Sequence, residues 1–84
     1  MMTIHVRLAE PFWRPTGQRE HQVAIGENAN VRDLLAYLAT QYPELGKEFQ
    51  DAPPHIFCGE DQISPEDGLE DNQHLHLVWP IAGG

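Results

Sequence analysis

Few side chains in this sequence are of a kind that does chemistry, and their spacing limits what they could do. His74 and His76 stand two apart in the run HLHLVW, so both leave the same side of an extended strand. His5 joins them if the first and last strands are neighbours. Three imidazoles can ligate zinc. No fourth ligand is evident and the spacing is not diagnostic, so no metal is assigned and the competing reading is an exposed polar sheet face. Cys58, the single cysteine, precedes a turn. As a thiolate it could act as a nucleophile, but no base stands near it, and a strand-end residue at the edge of the core needs less. Lys47 is the only lysine and reads as a solvated loop charge. With no acid–base pair, no nucleophile beside a base and no phosphate loop, the chain is not expected to be an enzyme. The remaining candidate is the last stretch, VWPIAGG, which runs from a strand through Trp79 and Pro80 to Ile81, Ala82, Gly83 and Gly84. Glycine adopts torsions barred to other residues and lets the backbone approach a partner closely. Ile81 to Gly84, extended, reach about 13 Å at ~3.3 Å per residue. The competing reading is a frayed end.

Composition narrows the partners. The chain has 84 residues, room for one domain, 1–84, of which 80–84 form a tail. Five Lys and Arg against thirteen Asp and Glu give a formal charge of −8. That argues against nucleic acid and anionic membranes and favours basic partner surfaces. The six acids between Glu60 and Asp71 read as a solvated surface with some steering value. One cysteine excludes an internal disulfide and fits a reducing, cytoplasmic setting. MMTIHVRLAE lacks a basic segment followed by a long apolar run, so no signal peptide is expected. No apolar stretch approaches the length of a membrane span.

These residues must be positioned by a small set of elements. TIHVRLA alternates, with Ile4, Val6 and Leu8 on one face and Thr3, His5 and Arg7 on the other, which is a half-buried strand. EPFWRPTGQ reads as a loop, and REHQVAI as a second strand, antiparallel to the first because the connection is short. In that loop Phe12 and Trp13 either close the end of a small core or form a partner patch. NVRDLLAYLATQYP carries Val31, Leu34, Leu35, Leu38 and Tyr42 at helical spacing. Asn30 can cap it, Asp33 completes a capping box, and Pro43 cannot continue it. ELGKEFQDAPP reads as irregular, with at most a short helical turn. HIFC is a third strand, GEDQ a turn and DQISPEDGLEDNQ a polar, turn-rich stretch with a short strand. HLHLVW is the last strand, with Leu75, Leu77 and Trp79 on one face and His74, His76 and Val78 on the other. This order suggests an α+β sheet with one helix on one face. If the last strand lies beside the first and parallel to it, with the helix as crossover, the sheet is a β-grasp.

Three segments carry a resemblance that covers nearly the whole chain. NVRDLLAYLATQYPEL is similar to the helix of the MoaD/ThiS family of ubiquitin-like sulfur carriers. FCGE stands where that family commonly has Val-Asn-Gly-Glu. LEDNQHLHLVWPIAGG resembles its Leu-x-Asp-Gly-Asp-x-Val run, apolar strand and Gly-Gly end. Cys58 departs from the usual Asn, and Asn72 from the usual Gly, a cheap change because Asn tolerates a left-handed turn. Trp79-Pro80 mixes the Pro-Pro of molybdopterin-synthase small subunits with the Ile-Ala-Gly-Gly of thiamine-pathway carriers. Pro11-Phe12-Trp13 is bulkier than the family's first loop.

The resemblance implies a co-substrate. The carboxylate of Gly84 would be adenylated by an E1-like enzyme of MoeB/ThiF type, then converted by a sulfur donor to a thiocarboxylate, with Gly83 clearing the path through a narrow channel. ATP would belong to the partner, and no cofactor would be tightly bound. The receiving enzyme would be a molybdopterin-synthase large subunit or a thiazole synthase. Val78 and one of Ile56 and Phe57 are expected to expose an apolar docking patch, continued by Trp79, Pro80 and Ile81. Two other functions stay open: a ubiquitin-like modifier joined through Gly84 to lysines, and a β-grasp binding module without tail chemistry.

Overall fold

The computed structural model describes residues 1–80. Strand β1, Met2–Leu8, alternates buried and open positions along its length, as the period-two pattern requires. It pairs antiparallel with β2, Glu20–Ile25, in a register that sets Ile4 opposite Val23. The chain then enters helix α1, Val31–Gln41. Asn30 Oδ1 accepts the Asp33 amide at 2.9 Å, and Asp33 Oδ2 accepts the Asn30 amide at 3.0 Å, so the capping box is complete. Val31, Leu34 and Leu38 are the buried stripe of α1.

Most of the stretch ELGKEFQDAPP, expected to be irregular with at most a short helical turn, lies instead in a second helix, α2, Pro43–Asp51. Pro43 ends α1 and opens α2, where its missing amide and fixed φ cost nothing. Leu45 and Phe49, four apart, turn inward from α2, and Leu45 is fully buried. Gly46 marks a close helix contact: a Cβ there would lie 3.0 Å from the Ala39 Cβ of α1.

Strands β3, His55–Cys58, and β4, Asp61–Ile63, form a tight hairpin whose turn places Gly59 at φ 65°. Asp61 and Gln62 thus belong to a strand rather than to the turn. Strand β5, His74–Val78, follows Asn72, which adopts φ 63° as its type allows. The sheet order is β2-β1-β5-β3-β4, with β5 parallel to β1 and antiparallel to β3. This is the β-grasp arrangement, with the helices between β2 and β3 supplying the crossover.

One core fills the space between sheet and helices. It contains Ile4, Val6, Leu8, Val23, Val31, Leu34, Leu38, Leu75 and Leu77 as expected, and also Met2, Phe12, Leu45, Ile56 and Leu69. Ile25 and Leu35, expected inside, are half-buried at its edge. Phe12 closes the core: it is fully buried, with its ring 5.3 Å from Phe49 edge-on and 5.4 Å from Trp79. Trp13 packs partly against the core under the Arg19 guanidinium, whose Cζ lies 4.9 Å from the ring centre.

Candidate partner-binding site

The tail leaves the fold at the centre of the sheet. β1 and β5 run together, and the Ala9 amide donates to the Leu77 carbonyl at 3.0 Å, extending the pairing beyond Leu8. Val78, Trp79 and Pro80 are all half-buried. The Trp79 ring turns inward onto Phe12, so the base of the tail is fastened to the aromatic end of the core. Ile81, Gly83 and Gly84, the residues on which the tail chemistry rests, lie outside the described residues.

The open face of the sheet, opposite the helices, settles which β3 residue points outward. Ile56 is buried against the core and Phe57 is half-exposed, paired across the strands with His76. Val78 sits beside His55 in the same register. The expected apolar patch is therefore small. Most of this face is polar: His5 pairs with His74, and Arg7 with His76. A shallow hollow of about 520 Å³ runs over these side chains and the Gly59 turn. Arg7 was not singled out from sequence as a binding residue, although the alternation in TIHVRLA already places it on the face of His5.

His5, His74 and His76 do come together on adjacent strands. The rings of His5 and His74 are stacked, with centroids 4.4 Å apart and planes 10° from parallel. Stacked rings direct their nitrogens alongside one another rather than toward a common point. Among the described residues no three His, Cys, Asp or Glu side chains assemble a metal-holding group. Cys58 ends β3 at the margin of the core, where its Sγ accepts the Gln73 Nε2–H at 3.4 Å. Lys47 lies exposed on α2, not on a loop.

The acidic surface lies elsewhere. Glu10 pairs with Arg14 at 2.9 Å, and that guanidinium, by hydrogen bonding and by charge, holds the Glu10 carboxyl below its ordinary value. Arg32 pairs with Glu66 at 2.8 Å. No described helix is long and apolar enough to cross a membrane.

No known family profile and no curated protein sequence matches this chain. Solved structures do. SAMP1 from Haloferax volcanii superposes with a TM-score of 0.82 at 19% identity, over 98% of this chain and 99% of that one. A chain from the complex of subunits 1 and 2 of the molybdopterin-converting factor from Helicobacter pylori matches with a TM-score of 0.66 at 23% identity, covering 99% of this chain and 100% of that one. The ubiquitin of Caldiarchaeum subterraneum matches at 0.60 and 13% identity, over 99% and 98%. At these identities the likeness is one of fold. The fold is the ubiquitin-like β-grasp to which the sequence resemblance pointed, and the neighbours include proteins of the kind it named.

Proposed function

We propose that this chain is a ubiquitin-like sulfur carrier that works as a co-substrate and leaves catalysis to its partners. The Gly84 carboxylate attacks the α-phosphate of ATP in an E1-like enzyme, expelling pyrophosphate and forming an acyl-adenylate. Sulfide released by a sulfur donor then attacks the acyl carbon and expels AMP, leaving a thiocarboxylate. The observation that carries the reading is the junction at Pro80. A central strand, anchored through Trp79 to Phe12, delivers a stretch ending in Gly83 and Gly84 from the middle of the sheet. The complex of molybdopterin-converting factor subunits 1 and 2 supports a synthase large subunit as the receiver. A thiazole synthase is the second candidate. Val78, Phe57, Trp79, Pro80 and Ile81 would form the contact at the tail's base.

A second reading draws on the small archaeal modifier protein SAMP1 and on the ubiquitin of Caldiarchaeum subterraneum. The same adenylate, attacked by a lysine amine, joins Gly84 to another protein as an amide. Incubation with the adenylating enzyme of the source genome, ATP and a sulfur donor separates the two. Carrier function gives an intact-mass gain equal to replacing one oxygen by sulfur. Modifier function gives conjugates in which, after tryptic digestion, a lysine of the target carries the peptide that follows Lys47 and ends in Gly84. Removal of Gly84 abolishes either product, and Val78→Asp weakens the enzyme complex while leaving the fold intact. An unchanged product from the shortened chain would sink both readings and leave the plain binding module.

A further inference from the structure

The open sheet face carries little of the molecule's negative charge. The chain carries −8 overall, yet the hollow on this face is lined by His5, His74, His76 and Arg7, with Glu20 its one carboxylate among the described residues. Glu20 lies opposite Arg7 in the β1–β2 register, but neither ion pair among the described residues involves Arg7. The neighbouring strands add His55, bonded to Gln62 at 3.2 Å, and Phe57. At the far end of β1 the Asp71 carboxylate is already engaged, accepting the Thr3 amide at 2.8 Å.

We infer that this face docks a protein surface bearing carboxylates, on the partner that takes the tail. The inference rests on the sulfur-carrier or modifier reading, and it adds the chemistry of the contact. Three observations carry it. First, Arg7 is an exposed permanent cation on a patch with almost no acids. A partner carboxylate there meets a cation with little of the repulsion that the acidic parts of the surface exert. Second, the patch is continuous with the tail base. Val78 follows His76 on the same face of β5, two residues before Pro80, so an enzyme holding the chain at Pro80 would reach it. Phe57 and Val78 supply the apolar part of such a contact. Third, the patch is local. A polyanion such as nucleic acid would overrun it onto the acidic remainder and be repelled.

The test is calorimetric titration of the full chain into the purified adenylating enzyme of its genome, in low and in high salt. The wild type should bind roughly tenfold tighter in low salt. Arg7→Gln should lose most of that salt dependence, which separates this face from charges elsewhere on the two proteins. Arg7→Glu should weaken low-salt binding about tenfold without moving the thermal midpoint. A salt-insensitive wild type, or an Arg7→Glu variant that binds normally, overturns the inference while leaving the tail chemistry standing. NMR shift changes at His5 and His74 on adding a short oligonucleotide would overturn it in favour of a phosphate partner. No binding of the wild type in either salt overturns this inference and the proposed function together.

Discussion

On the helix-facing side of β1 and β5, Ile4, Val6, Leu8, Leu75 and Leu77 are all but inaccessible, while on the other side of the same strands His74, His76 and Arg7 stand in solvent. The two sides share a backbone and a register, so strand pairing cannot account for the difference. It comes from what each side must satisfy. The inner side excludes water and is constrained by volume and shape. The outer side stays hydrated, so its residues affect folding little and are free to differ for a partner's sake. A residue's alternation class should therefore tell in advance whether its substitution is felt in stability or in binding.

That comparison can be broken at its strong end first. Phe12→Ala removes the ring that joins Trp79 and Phe49 and should cost about 3–5 kcal/mol, read by urea denaturation. Leu34→Ala should cost ~2–5 kcal/mol, and Leu35→Ala on the neighbouring position distinctly less, since Leu35 is only half-buried. Equal losses for the two leucines would mean that the boundary of the core is misplaced. Asn30→Ala removes one arm of the capping box and should cost about 1 kcal/mol. On the outer side, His74→Gln should change stability by no more than about 0.5 kcal/mol. A larger loss would show that the His5–His74 stack belongs to the fold and not to a partner. The smallest effect lies at Glu10. Its carboxyl titrates below its ordinary value because of Arg14, so the pair's small stabilising contribution is present above that ordinary value. It disappears as pH falls through the lowered value. Glu10→Gln should erase that part of the acid limb of the stability profile and leave neutral pH almost untouched, both ion-pair partners being exposed.

Much of this was legible in the sequence because it depends on periodicity. The alternation in β1 and β5 gave both faces, and the Asn30–Asp33 spacing gave the start of α1. Asn72 could be read as a left-handed turn from its side chain alone. Three features were not legible, each for a physical reason. Helix α2 was hidden by Gly46, which weakens a helix in isolation and is repaid by the close contact with Ala39. The only local signal was the Leu45–Phe49 spacing. The burial of Phe12 depends on residues 37 and 67 positions away, and a loop aromatic looks the same in sequence whether it points in or out. The docking face needed the β1–β5 pairing before its three histidines and Arg7 formed one patch. Sequence placed His5 there only conditionally. For the tail itself, the types of Gly83 and Gly84 remain the argument.

The parallel pairing of β1 with β5 also has a mechanical side. Four register pairs, His5–His74 to Leu8–Leu77, lie between the start of β1 and the exit of the tail. A pull applied beyond Pro80, resisted near Met2, runs along both strands and loads their hydrogen bonds in shear, so they must give way together instead of opening one after another. An antiparallel last strand would have been peeled from its end. A machine that hauls on this chain from the tail thus meets the sheet in its stiffest direction, and an enzyme that only draws the tail into a channel can do so against a body that holds its shape.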